Sequence, residues 1–468
     1  MALLLAVLAA GCGGSRTASD STLRSTLADP HGTGILSRGP GEPFVNRTEL
    51  APAGRPVRQL ALFAVLADAH LRDAESPARV PFLARLGPPF QSTFRPQEAL
   101  TAQVLASTVS SLDRLPLQAV VEAGDLIDND QRNELDQALA TLRGGRVRPG
   151  SDGARYAGVQ SASNPDPFYY RPDVDAPRHQ GLLAAAMRPF RSPGLRAPWY
   201  PVLGNHDILV QGELPPTPAT NAIAVGSRRL IDLSPEARSV LRLRDPHEMA
   251  NVLARGLPGR SVPTTPDRGR AELPAASVLA RLRSASGHAG GGPLLDYAFD
   301  IGGSVRGIAL DTVRRDGGSE GLVRPAQLGW LAGQLRSAGT RWVIVFSHQP
   351  LPSSSGGEAA LRLLDADPRV IAVVAAHTHR NSIVARRVRA PGYWLITTAS
   401  IVDYPQQARV FRLERTAGGG LDLQTWTLNH GTRGLPGISL ELSYLDAQGG
   451  RPNGFAGRRA DRNARLFR

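Results

Sequence analysis

The chain carries a series of short apolar runs, each uninterrupted by polar residues and each ending at a cluster of Asp, His or Asn. The first run, Leu60-Ala61-Leu62-Phe63-Ala64-Val65-Leu66, shows no alternation. A strand patterned this way is covered on both faces, as in a parallel sheet held between two layers. Leu117 to Ala123, Trp199 to Leu203, Trp342 to Phe346 and Val370 to Ala375 repeat the pattern. Helical spacing predicts a helix within Arg95 to Leu115 and a second over Asn129 to Leu142, where Leu135, Leu139 and Leu142 share a face. Pro325 to Ser337, with proline in its first turn, and Glu358 to Leu364 also read as helices, and Pro235 to Ser284 as helices broken by Gly/Pro loops. Tyr297 to Ile301 and Val305 to Leu310 form a predicted hairpin about Gly302-Gly303-Ser304, and Tyr393 to Thr398, Ala408 to Leu413 and Leu421 to Leu428 complete the strands. Strands alternating first with helices and later with hairpins predict an α/β protein with two mixed sheets flanked by helices.

The ends lack this patterning. Ala2 to Gly11 is apolar but well short of the roughly 20 residues that span a bilayer. It leads through small residues to Cys12, as a lipoprotein signal does, so residues 1–12 read as a signal segment with lipid attached at Cys12. Residues 13–56 are rich in Ser, Thr, Gly, Pro and Arg and read as a flexible tether. The body is then 57–430, and 431–468 reads as a disordered Arg-rich extension. This organisation places the protein outside the cell, anchored through lipid to the outer side of a bacterial membrane or to its periplasmic face.

Composition sharpens two points. Hydrophobic residues make up 41% of the 468, enough for a large core and too many for a disordered chain. The single cysteine excludes intramolecular disulfides and a thiolate zinc cage. All 54 basic residues are arginine, which points to compositional bias; the net charge of +13 therefore does not by itself define a basic face, and nucleic acid is not the expected partner.

The chemistry lies where the strands stop, which is where open α/β sheets place their sites. In chain order the runs end in Asp68-Ala69-His70, Gly124-Asp125, Gly204-Asn205-His206-Asp207, Ser347-His348 and His377-Thr378-His379. Five of the ten histidines fall in these segments. Asp-x-His, Gly-Asp and His-x-His are each weak signals, whereas Gly-Asn-His-Asp after a buried strand is rare, and the five together are hard to assign to chance. Carboxylate, imidazole and amide oxygen suit divalent Mn, Fe or Zn, and the absence of thiolates argues against a closed structural site.

In these motifs the sequence resembles the calcineurin-like metallophosphoesterase superfamily over about Leu60 to Leu428. The resemblance implies a four-layer α/β/β/α sandwich and two divalent ions (Mn, Fe or Zn). It implies that Asp68, His70, Asp125 and His379 hold one metal, and that Asp125 bridges to a second held by Asn205, His348 and His377. It further implies that a metal-bridging hydroxide attacks phosphorus while His206 contacts the substrate and protonates the leaving oxygen. Ala376 stands where the family usually has glycine; a left-handed backbone there would cost stability and shift His377 or His379, but alanine is expected to be tolerated because every ligand side chain is retained. Asp128 stands where purple acid phosphatases place a ligand tyrosine, and the Asp-Arg-Gly of protein phosphatases is absent. The long stretches before Asn205 and after Asp207 imply insertions near 144–197 and 208–293, as site walls or as surface decoration. Tyr156, Phe168, Tyr169 and Tyr170 in the first insertion are read as local packing, and His31, His179, His288 and His430 as surface residues.

The expected function is hydrolysis of small phosphoric esters, with phosphodiesters favoured. A phosphomonoesterase or nucleotidase is the rival within the class. An inactive surface binding protein on the same fold is the rival from another class. Nothing in the sequence indicates an oligomeric state.

Overall fold

A computed structural model describes residues 20–86, 93–151, 156–240, 259–288, 291–388 and 391–468. Cys12 and the signal segment lie outside the described residues.

The sheet strands, in chain order, are β1 (Val45–Arg47), β2 (Pro56–Leu66), β3 (Ala119–Glu122), β4 (Trp199–Pro201), β5 (Tyr297–Ile301), β6 (Val305–Leu310), β7 (Trp342–Ser347), β8 (Val370–Ala375), β9 (Ser382–Arg386), β10 (Tyr393–Thr397), β11 (Gln407–Thr416), β12 (Leu421–Asn429) and β13 (Ala464–Phe467). One sheet has the order β1-β13-β12-β11-β2-β3-β4, and the other β5-β6-β7-β8-β10-β9. Both are mixed. β2, β3 and β4 run parallel in the first, and β6, β7, β8 and β10 in the second.

The lack of alternation in β2 now has a direct cause. Leu62, Ala64 and Leu66 pack toward helices Thr101–Leu112 and Arg132–Arg143, while Ala61, Phe63 and Val65 enter the layer between the sheets. There Phe63 stacks on Phe411 at 5.0 Å and meets Phe346 edge-on at 6.1 Å. The outer face of the second sheet is covered by helices Pro325–Ser337 and Gly357–Asp365. Helix, sheet, sheet, helix is the expected four-layer order.

Both ends differ from expectation. The presumed tether forms a hairpin, Ser25–Ala28 with Ser37–Pro40, and then β1. It is held by groups that a hydrophobic pattern does not report: Thr22 Oγ1 donates to the Thr427 carbonyl at 2.8 Å, and Glu42 pairs with Arg462 at 2.6 Å. The presumed disordered extension forms helix Gly434–Leu445 and strand β13, seated between β1 and β12. Four of its arginines are paired within the fold: Arg451 with Asp29, Arg458 with Asp461, Arg462 with Glu42 and Arg465 with Asp422.

The insertions are also structured. The first carries the paired strands Gly145–Val147 and Phe190–Ser192. The second carries helices Pro218–Ala224 and Ala275–Ser286 and the strand pair Arg228–Leu233 with Gly259–Pro263, so the helical expectation over 235–284 holds only in part. Phe168 and Tyr169 pack with Phe94, Val159 and Ile231, joining the two insertions to each other. His430 is buried rather than at the surface, with Nε2 3.1 Å from Gln406 Oε1. A sequence scan had no means of pairing two residues brought together by β11 and β12.

Candidate metal centre

All seven proposed ligands and His206 converge at the C-terminal edges of β2, β3, β4, β7 and β8. Two glycines let the loops close to this degree. A Cβ on Gly204 would lie 2.0 Å from the Asp125 backbone nitrogen, and one on Gly124 would lie 2.5 Å from His348 Nδ1. Asp207 ties the same loops, its carboxylate accepting from the amides of Gly204 (2.8 Å) and Ile127 (3.2 Å).

Five of the seven ligand positions have left-handed backbone: Asp68 (φ 51°), His70 (41°), Asp125 (53°), His377 (66°) and His379 (54°). Only Gln211 and Gln406 share that conformation among the other described non-glycine residues. Such backbone is disfavoured for L side chains, and its concentration marks a place where geometry is fixed against local preference. Ala376 is not among these residues, so alanine there is compatible with the positions of its histidine neighbours.

The donor atoms form two adjoining sets. In one, His70 Nε2 lies 3.3 Å from His379 Nε2, which lies 3.4 Å from Asp68 Oδ1. In the other, His348 Nε2 lies 3.3 Å from His377 Nδ1 and 3.1 Å from Asp125 Oδ2. Asp125 Oδ2 is also 3.7 Å from His70 Nε2, so one carboxylate oxygen borders both sets. Donors around an ion with bonds of about 2.1 Å stand roughly 3.0–3.4 Å apart, close to these separations. Asp68 Oδ2 is buried without a hydrogen-bond partner. Six of the seven proposed ligands thus fit a dinuclear divalent centre, while Oδ1 of the seventh, Asn205, accepts from Gln349 Nε2 at 3.1 Å.

The ring nitrogens turned away from the centre are occupied, which fixes the tautomers. His70 Nδ1 meets Asp128 Oδ1 at 3.0 Å, His379 Nδ1 meets Asp403 Oδ2 at 2.6 Å, and His348 Nδ1 meets the Ala123 carbonyl at 2.9 Å. In the neutral ring each leaves Nε2 as the inward lone pair. Asp128 is itself held by the buried guanidiniums of Arg72 (3.0 Å) and Arg79 (3.1 Å), which neutralise it and make it a brace for His70. Asp403 is held by Arg95 in a bidentate pair at 2.6 and 3.0 Å.

Charge in the metal-free site follows from this packing. Burial opposes ionisation of Asp125, yet His348 and His206 hold its carboxyl far below the usual range. Burial likewise opposes charge on His348 and His379, but Asp125 beside the first and Asp68 beside the second push both up to about 9. Burial pulls the facing rings of His377 and His70 down to about 3, helped by the neighbouring imidazoles His348 and His206 respectively. Protons thus stand in for cations, and metal loading must displace them.

Sequence reading missed Asp403 and Arg95. Asp403 follows β10, another buried parallel strand, so the strand-end rule that found the ligands would also have flagged it. Arg95 had no signal of its own in so Arg-rich a chain. Arg380, which directly follows His379, donates to the Asn453 carbonyl and lies 5.9 Å over the Phe455 ring.

The sequence model of the calcineurin-like phosphoesterase family matches residues 63–381, which include every one of these ligands. The chain belongs to the calcineurin-like phosphoesterases. It is a metal-dependent phosphoester hydrolase, the activity expected from its motifs. Among solved structures it is similar to a dimetal phosphatase from Danio rerio at 16% identity and a TM-score of 0.43, over 80% of this chain and 97% of that one. It is also similar to purple acid phosphatase PPD1 from yellow lupin (Lupinus luteus) seeds at 10% identity and a TM-score of 0.35, over 84% and 54% of the two chains. No curated protein matches the chain.

Proposed function

We propose that this phosphoesterase hydrolyses small phosphodiesters, with Asp68, His70, Asp125 and His379 holding one divalent ion and Asp125, Asn205, His348 and His377 the other. Bound there, Mn, Fe or Zn would supply Lewis-acid charge and an acidified water.

The observation that favours a diester is the charge of the cleft. A cleft of about 310 Å³ opens over the centre, walled by Thr93, Arg95, Glu213, Ser319, Gln448 and Phe455. Its one arginine is committed to Asp403, and Glu213 adds a carboxylate. Among the described lining residues no second guanidinium is present, and the imidazolium His206 is reserved for the leaving oxygen, so the second charge of a monoester dianion gains no further side-chain partner. A diester carries a single charge. The volume, at the low end of the ~300–1,000 Å³ of small-molecule sites, suits a small ester.

His206 lines this cleft. Its Nδ1 is 2.8 Å from the Asp128 carbonyl and its amide donates to Asp125 Oδ1 at 2.8 Å, which fixes both ring and backbone. Burial lowers its pKa, while Asp125 and Asp128 pull the other way. An anion in the cleft would favour the imidazolium, which can then give its proton to the leaving oxygen.

The test combines metal analysis with hydrolysis of bis- and mono-nitrophenyl phosphate. Wild type should carry two divalent ions and prefer the diester. Asp125→Ala should lose both metal and activity, whereas His206→Ala should keep metal and lose about 10²–10⁴-fold in turnover. Faster turnover of the monoester would favour the phosphomonoesterase reading. Wild-type protein that binds metal but hydrolyses neither ester would establish the inactive scaffold.

A further inference from the structure

The family match stops at residue 381, yet one wall of the cleft comes from far beyond it. Gln448, Gly449 and Phe455 lie in the segment between helix Gly434–Leu445 and β13, within the stretch that composition alone suggests is disordered. The segment is fastened to the metal-bearing loops at several points. The Asn381 amide donates to the Phe455 carbonyl at 2.9 Å, and Arg380 Nη2 donates to the Asn453 carbonyl at 2.6 Å. Gly449 sits against the brace of His379: a Cβ there would lie 2.8 Å from Asp403 Oδ1. Gly457 is as tightly placed, since a Cβ would lie 2.3 Å from the Asn381 carbonyl oxygen.

These contacts hold Phe455 beside the centre. Its ring centroid is 6.1 Å from that of His379, a proposed ligand, with the planes at 67°. Arg380 covers the ring at 5.9 Å, and the half-buried remainder lines the cleft. A half-open aromatic ring beside the centre presents a face on which an aromatic group can stack. The polar and acidic groups elsewhere in the wall, Thr93, Glu213 and Ser319, offer no comparable surface.

We propose that Phe455 is a specificity-determining residue, forming a platform for an uncharged aromatic group attached to the phosphorus of the substrate. The substrate class is then an aryl or nucleoside phosphoester with a single phosphorus. A diphosphate is disfavoured because the cleft has no second guanidinium for a second phosphoryl group. This rests on the proposed function for the identity of the site but concerns only what the wall recognises.

The experiment is calorimetric binding of phenylphosphonate and methylphosphonate to the manganese-loaded full-length protein. Their carbon–phosphorus bonds keep them intact during the measurement. Wild type should bind the phenyl compound about five- to tenfold more tightly. Phe455→Ala and Phe455→Leu should each bring the two within about twofold, and Phe455→Trp should restore the preference. Methylene diphosphonate should bind no better than methylphosphonate. Equal binding of phenyl and methyl compounds by wild type, or discrimination that survives Phe455→Ala, would overturn the proposal. Because binding is read without turnover, a preference for phenyl in a protein that hydrolyses nothing would sink the proposed function and leave the aromatic wall standing.

Discussion

At the residue scale the proposed centre depends on side chains that stand behind its ligand set. His379 is aimed by Asp403, and Asp403 by Arg95, in a buried chain with contacts of 2.6 Å at both links. Burial opposes charge on Asp403, but Arg95 and His379 keep it ionised far below the usual carboxylate range. Replacing Asp403 with Asn keeps the shape and removes the charge that makes His379 a strong donor. Asp403→Asn should lower the affinity for one of the two ions by about 10–100-fold, read by competition with a chromogenic chelator. Unchanged affinity for both ions would mean that Asp403 serves the fold alone. The left-handed backbone at five ligand positions belongs to this scale as well. It shows that the loops are shaped by the convergence of five strands, since no single loop would choose these angles for Asp or His.

At the element scale, the turn before helix Arg132–Arg143 meets the strap before helix Ala275–Ser286, and two carboxyls are buried at the join. Asp130 is fully buried with neither side-chain oxygen hydrogen-bonded, and burial followed by the charges of Glu272 and Glu134 pushes its pKa well up. Burial also pushes Glu272 up to about 7 from an ordinary 4.5, although its carboxylate accepts from Thr220 Oγ1 at 2.7 Å. The unfolded chain therefore loses the Glu272 proton first. Stability falls as pH rises from about 4.5 to about 7 and stays reduced above that range. Glu272→Gln should be more stable than wild type by on the order of 1–3 kcal/mol at pH 8, with the gap narrowing toward pH 5. Thermal unfolding at the two pH values measures this, and a gap that is constant or reversed would contradict it. The core strands and helices at this scale were legible because their cause is local: unbroken apolar runs for strands buried on both faces, and 3.6-residue spacing for helices with one wet face. β1, β13 and the N-terminal hairpin were not legible. The hairpin's own ladder is local, but it carries no apolar alternation, and β1 and β13 are held by a ladder to each other and by ion pairs such as Glu42 with Arg462, across hundreds of residues.

For the whole molecule, the C-terminal stretch closes the architecture. β13 inserts between β1 and β12, and the buried guanidinium of Arg409 donates to the carbonyls of Asp461 and Arg462 at 2.8 and 3.0 Å. Ending the chain at residue 430 would strip the edge of β12 and leave that buried cation short of acceptors, a defect worth several kcal/mol. The truncated protein should be insoluble or lack a cooperative melt, judged by size-exclusion chromatography and circular dichroism. A truncated chain that unfolds like wild type would mean that the extension is dispensable.

The amino-acid sequence by itself determined the layered α/β class, the strand ends at which chemistry collects and the side chains proposed as metal ligands. Those features follow from residue type and spacing along the chain, because an apolar run buries itself and a ligand must carry a lone pair. The tertiary structure alone decided that Asp403 and Arg95 brace a ligand, that the glycines at 124 and 204 clear the approach of neighbouring loops, and that the Arg-rich extension ends as a strand and a cleft wall. These are matters of distance between segments remote in sequence, and neither composition nor periodicity contains that distance.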